Sequence, residues 1–184
     1  MGERRIATYD DVLAAPDHLV AELVGGILHT SPRPRLVHAG VASVLGEELG
    51  PPFRRGRGGP GGWLILDEPE LHLAADVVVP DLAGWRRERM PVLPDQTFVS
   101  LAPDWACEVL SPSTAVFDRR DKLPVYAREA VTQVWLIDPT ARLLEVLRLD
   151  GATYRIVATF AGDESVRAEP FDAIELALAA LWNA

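Results

Sequence analysis

From Val37 to Leu49, apolar residues fall at Val37, Val41, Val44, Leu45 and Leu49, the spacing that gathers them on one buried helix face. Upstream, residues 8–15 read as a short helix with Thr8 as its N-cap. Glu22–Thr30 reads as an extended apolar stretch folded into a hairpin at Gly25-Gly26, followed by a loop over Ser31–Pro34. Residues 50–62 hold six glycines and three prolines, which predicts a flexible loop. They lack the Lys-Ser/Thr ending of a phosphate-binding loop. Short apolar runs then predict strands at Trp63–Asp67, Leu71–Leu73, Val77–Trp85 and Trp105–Leu110. A helical segment around Asp118–Ala130 and a strand at Val134–Asp138 follow. Leu143–Leu149 and Thr153–Phe160 flank Asp150-Gly151, a strong hairpin turn, and an apolar helix is expected at Ile174–Trp182. No internal repeat is visible. This order predicts one α/β domain over residues 1–184, with a mixed sheet flanked by helices.

Composition narrows the class. Of 184 residues, 48% are hydrophobic and 24% charged, the balance of a folded globular chain. No apolar run is long enough to span a membrane, so no membrane partner is expected. The opening Met1–Ala7 has no apolar signal core, which makes the cytoplasm the expected location. With Cys107 alone, neither an internal disulfide nor a cysteine zinc site can form. The net charge of −9 and pI near 4.9 count against broad, unspecific DNA binding. They leave room for local basic clusters: Arg33/Arg35, Arg54/Arg55/Arg57, Arg86/Arg87/Arg89 and Arg119/Arg120, though solvated surface charge is the favoured reading of any one of them. Of the 18 basic residues, 17 are arginine, and Lys122 is the sole lysine. A lysine kept against that bias suggests a place where a compact ammonium works and a planar guanidinium does not.

The chain has no Gly-x-Ser-x-Gly elbow, no His-Glu-x-x-His and no dinucleotide-binding glycine motif. Its histidines, His18, His29, His38 and His72, lack paired metal-ligand spacing. Two carboxylates stand out instead. Asp81 interrupts the apolar run Val77–Leu82, and Glu108 interrupts Trp105–Leu110. A carboxylate in a buried strand is costly unless paired, protonated or bound to a cation. Each alone could be a strand-end residue facing water; together, and followed by Lys122, they suggest a shared site.

With Pro80-Asp81, Glu108-Val109-Leu110-Ser111-Pro112-Ser113-Thr114, Asp118, Lys122 and Tyr126, the chain resembles the PD-(D/E)xK nucleases. More narrowly it is similar to the Uma family, regarded as restriction endonucleases of that fold. Glu22–Gly26, Ser31-Pro32, His38 and Val134–Pro139 carry further likeness, which spans about residues 8–150. The resemblance implies a restriction-endonuclease-like mixed sheet flanked by helices, with added β-hairpins near both ends. One departure is clear: two residues after the glutamate, where the motif places lysine, this chain has Leu110. The resemblance implies that Lys122, on the following helix, takes that part. Pro124, two residues later, predicts a distortion of that helix. The competing role for Lys122 is a surface ion pair with Asp118.

The implied activity is Mg²⁺- or Mn²⁺-dependent hydrolysis of DNA phosphodiesters, by a homodimer. Asp81, Glu108 and the Val109 carbonyl would hold the cation, which would activate water and offset phosphate charge. Lys122 would orient the water or stabilise developing negative charge. Glu22 is the favoured extra acidic residue, with Glu48 as its rival. His38 reads as a core or capping residue before a catalytic one, Tyr126 as packing that orients the lysine, and Trp63, Trp85, Trp105 and Trp135 as core. The alternative is a catalytically inactive protein that keeps the nuclease fold as a binding module, which the acidic pI favours.

Overall fold

A computed structural model describes residues 5–183; Met1–Arg4, part of the stretch read for a signal core, and Ala184 lie outside them. In chain order the elements are α1 (Tyr9–Leu13), β1 (Leu19–Val24), β2 (Ile27–Pro32), α2 (Leu36–Leu49), β3 (Trp63–Asp67), β4 (Leu71–Leu73), β5 (Asp76–Val78), β6 (Leu82–Arg86) and β7 (Trp105–Val109). Then come α3 (Ala115–Phe117), α4 (Leu123–Arg128), β8 (Gln133–Asp138), β9 (Leu143–Asp150), β10 (Thr153–Ala161), β11 (Ser165–Val166), β12 (Leu176–Ala177) and α5 (Leu178–Trp182).

Side chains on a strand alternate between faces, and here both faces of the inner strands of the central sheet are buried. Six strands build it in the order β10-β9-β8-β7-β6-β3. Trp63, Ile65, Leu82, Trp105, Cys107 and Val109 face one side, where Val41, Leu45 and Leu49 of α2 and Leu178 and Leu181 of α5 cover them. Leu64, Ala83, Trp85, Ala106 and Leu136 face the other, against Val125 and Tyr126 of α4 and Leu71, Leu73 and Val78. β7 and β8 pair in parallel, so the chain between them must cross over, and α3 and α4 do so. β9 and β10 extend this sheet at one edge. The β1–β2 hairpin instead joins β5 and β4 in a second, four-stranded sheet. Its turn uses Gly25 and Gly26, both at positive φ (59° and 73°), as a tight two-residue hairpin turn requires.

Several local expectations are corrected. Val77–Trp85 is not one strand: β5 ends at Val78, β6 begins at Leu82, and the two lie in different sheets. Pro80 has no N–H to give a ladder, so Val79-Pro80-Asp81 becomes the link between sheets. Ser31-Pro32 extends β2 rather than opening a loop. Gly50–Arg54 continues α2 as a wider π-type turn, and it buries Pro52 and Phe53. Phe53 is drawn in because Phe171, 4.7 Å away between ring centres, completes an aromatic cluster with Trp63, Trp105 and Trp135. The final helix is shorter than expected, since Leu176–Ala177 pairs with β11 as β12 before α5 begins. On α2, Val41, Leu45 and Leu49 are buried and Val44 is half-buried, but Val37, in the first turn, is 64% exposed. The tryptophans named above are all core.

Gly84 allows that core to close. A Cβ there would lie 3.2 Å from both Trp105 Cε3 and Trp63 Cε3. Both rings are buried and braced by Phe171, so they have little room to yield. Gly84→Ala should therefore destabilise the fold by about 1–3 kcal/mol through overpacking. A urea midpoint equal to or above wild type would show that the rings can move.

Candidate active site

β6 and β7 pair antiparallel with Leu82 opposite Cys107 and Ala83 opposite Ala106. Continued by one residue, that register sets Asp81 opposite Glu108, with both side chains on one face. Asp81 lies just outside β6, where its Oδ2 accepts a hydrogen bond from the Val109 N–H at 2.6 Å. His38, in the first turns of α2, brings Nε2 to 3.3 Å from the same oxygen. Burial pulls the His38 pKa down, but Asp81, the Val109 carbonyl and Asp118 outweigh it and leave the ring more basic than usual. Its Nδ1 is buried without a hydrogen-bond partner among the described residues.

Lys122 reaches the site from an irregular helical stretch. Asp118–Lys122 forms a π-type turn in which the Leu123 N–H bonds back to the Asp118 carbonyl. Pro124 follows directly and cannot donate to the usual carbonyl four residues earlier, a common cause of such a bulge. The Lys122 Nζ donates to Glu108 Oε2 at 2.8 Å and to the Val79 carbonyl at 3.0 Å. Glu22 Oε1 lies 3.3 Å from it and Asp118 Oδ1 3.7 Å. Glu22 Oε1 also accepts the Val79 N–H at 2.8 Å, so β1, the link between sheets, β7 and the helical stretch all meet here. The Tyr126 hydroxyl donates to Glu108 Oε1 at 2.5 Å. Glu22, Glu108, Asp118 and Lys122 are all 5% exposed or less.

Burial lowers the Lys122 pKa, yet the carboxylates of Glu108, Glu22 and Asp118 raise it further, so the ammonium stays charged. Burial drives the Glu108 carboxyl well above the usual carboxylate range, against the opposing pull of Lys122. It pushes Asp118 up to about 6, again against Lys122 and against a hydrogen bond from Thr114.

The residues expected at the site divide as follows. Glu22, Asp81, Glu108 and Lys122 line one cleft; Glu48 is exposed on α2, away from it; Leu110 packs in the core with Val125 and Tyr126 of α4. Tyr126 gives its hydroxyl to Glu108, a bond that its expected packing role did not include. Asp118 is no surface partner of Lys122 but a buried member of the same cluster, a role that helical spacing alone did not suggest. The cleft has a volume of about 310 Å³. Ser31–Arg35 form one lip and Ser111–Thr114 the other. Four carboxylates (Glu22, Asp81, Glu108, Asp118) face one lysine and one histidine there, and a bound cation would favour their ionised forms. Among the described residues, no group of three His, Cys, Asp or Glu side chains is set to hold a metal unaided. An ion here would rest on Asp81, Glu108, the Val109 carbonyl and water. That all-oxygen set with few carboxylates suits Mg²⁺.

Residues 7–179 match the profile of the Uma2 family, described as "Putative restriction endonuclease". No curated protein matches the chain. Among solved structures, it is similar to a "putative nuclease belonging to DUF820" from Anabaena variabilis ATCC 29413. The two are 22% identical, with 96% of this chain and 97% of that one covered at a TM-score of 0.73, which shows a shared fold. Among the described residues, no helix is long and apolar enough to cross a membrane.

Asp118 yields a pH test. Its folded pKa, about 6, lies above the ordinary 3.8, so its contribution to stability is full below about pH 4 and is lost as pH rises through 6. The shift corresponds to ~3 kcal/mol at most. Asp118→Asn, which cannot ionise, should gain on wild type between about pH 4 and 6 and hold a constant difference above pH 7. Urea unfolding of both proteins in chelator across that range would show it; a difference independent of pH would mean that Asp118 ionises freely in the fold.

Proposed function

The chain belongs to the Uma2 family, and from that premise we propose that it is a divalent-metal-dependent endonuclease that hydrolyses DNA phosphodiester bonds. The observation that carries this reading is that one cleft is lined by Asp81, just before β6, by Glu108 on β7 and by the chain's only lysine, which is bonded to Glu108. Water adds to phosphorus, one P–O ester bond breaks, and an alcohol and a phosphate monoester result. A bound Mg²⁺ or Mn²⁺ would supply Lewis acidity toward the phosphate and make water a better nucleophile. Asp81 and Glu108 supply the anionic oxygens, with the Val109 N–H fixing the direction of Asp81 and Tyr126 that of Glu108. Glu22 positions the lysine through Oε1 and the Val79 N–H. Lys122 offers its ammonium to negative charge growing on the phosphoryl group.

The competing reading, an inactive nuclease fold used as a binding module, draws on one observation. Both Glu108 oxygens already have partners, Tyr126 and Lys122, so the cluster is internally satisfied. Two measurements separate the readings. Purified protein with Mg²⁺ or Mn²⁺ should cut DNA, and Asp81→Asn, which can still accept the Val109 N–H, should lower the rate by at least a hundredfold at unchanged stability. Metal at a hundred times its dissociation constant should stabilise wild type by about 2.7 kcal/mol, a rise in melting midpoint of about 5–10 °C for a domain this size. Glu108→Gln should shrink that rise. No metal-induced rise at millimolar concentrations and no cleavage would overturn the nuclease reading and favour the binding module. Lys122→Met is the poorer probe, because it strips buried carboxylates of their cation and should cost about 3–5 kcal/mol of stability.

A further inference from the structure

Resting on the nuclease reading, we infer that the cleft takes an unpaired DNA strand, or an unpaired strand end, and not the backbone of an intact duplex. Depth is the first reason. Glu108 and Lys122 are each only 2% exposed and Glu22 5%, and they lie beneath lips on two sides in a space of about 310 Å³. A phosphodiester must descend between those lips to reach them. In a duplex each phosphate rides on the wide body of the paired helix, and that body meets the lips before the phosphate reaches Glu108 and Lys122. An unpaired strand has no such restraint.

Charge is the second reason. Binding to duplex through its backbone commonly draws on about six to ten phosphate contacts. The lips supply two exposed arginines, Arg33 and Arg35, and Arg33 already gives one N–H to the Asp17 carbonyl. Arg119 and Arg120, the next cations along the chain from the second lip, are ion-paired with Glu145 and Asp121. With a chain charge of −9 around them, two arginines can seat a short run of phosphates and little more. The third reason is what stands beside them. Leu36 (90% exposed) and Val37 (64%) adjoin one lip, and Val116 (66%) adjoins the other. Exposed apolar side chains on both sides of the cleft offer area for contact with a ligand that leaves it. The faces of unstacked bases match them, whereas a duplex buries those faces within its own stack. Cutting one strand at a time needs one cleft, so the reaction does not depend on pairing two copies of the chain.

The test compares a fluorescent 20-mer DNA strand with the same strand in a blunt duplex, with the full chain and Ca²⁺ present. The single strand should bind at least tenfold tighter. Its log affinity should fall with log salt at a slope of about −1.4 for two phosphate contacts, and Arg35→Ala should reduce that slope by about 0.7. The Leu36→Asp/Val116→Asp double variant should weaken strand binding severalfold without moving the unfolding midpoint. In Mg²⁺ or Mn²⁺, an unpaired overhang should be cut at least tenfold faster than the duplex interior. Duplex bound as tightly as single strand, no binding of either, or equal cutting of both would overturn the inference. If neither is cut while the strand preference in binding holds, hydrolysis falls and the preference for an unpaired strand stands.

Discussion

One buried ammonium organises this molecule. Removing a charge from water costs several kcal/mol even after relaxation, and the cost is recovered only when well-placed partners surround it. Lys122 has four such partners: Glu108 on β7, Glu22 on β1, Asp118 at the start of the π-type turn, and the carbonyl of Val79 on the link between sheets. The two sheets and the helical crossover are therefore held in register by a single group of atoms. Arginine would fit poorly, because its planar fork spreads donors where this site needs one compact point. That is a physical reason for a lone lysine in a chain of 17 arginines.

The seam between the sheets does the rest of the positioning. Because β5 ends at Val78 and Pro80 cannot continue a ladder, the chain leaves one sheet and enters the other within three residues. The N–H of Val79 meets Glu22 and its carbonyl meets Lys122, while Asp81 caps the Val109 N–H on the neighbouring strand. Backbone groups that would otherwise be left unpaired at a strand end thus fix the site's side chains, and those side chains satisfy the backbone in return. A site assembled in this way has its side chains fixed before any ligand arrives.

Much of this could be read from the sequence, for identifiable reasons. The buried face of α2, the Gly25-Gly26 and Asp150-Gly151 turns and the central strands follow from periodicity and turn chemistry, which are local. Asp81 and Glu108 stood out because a carboxylate in an apolar run contradicts its surroundings. What was hidden depends on partners distant in sequence. Val77–Trp85 reads as one strand because both halves are buried, though in different sheets, and Pro80 was the one local sign of the break. Phe53 sits in a glycine-rich stretch, and only Phe171, over a hundred residues later, explains its burial. Asp118 looked like half of a surface pair, since helical spacing cannot tell which face of a crossover will be covered. The lips were invisible as such: Ser31–Arg35 and Ser111–Thr114 adjoin only through the fold.

The π-type turn at Asp118–Lys122 carries one extra residue relative to a regular helix. Each residue of an α-helix advances the side-chain direction by about 100°. Losing one residue from this turn would swing Asp118 and everything before it by that angle relative to Tyr126, and no choice of side chain could restore the meeting at Glu108. Segment length is thus constrained here as tightly as residue identity. Aligning distant relatives across this stretch should treat a one-residue gap between the glutamate and the lysine as a change of geometry, and not as ordinary loop variation.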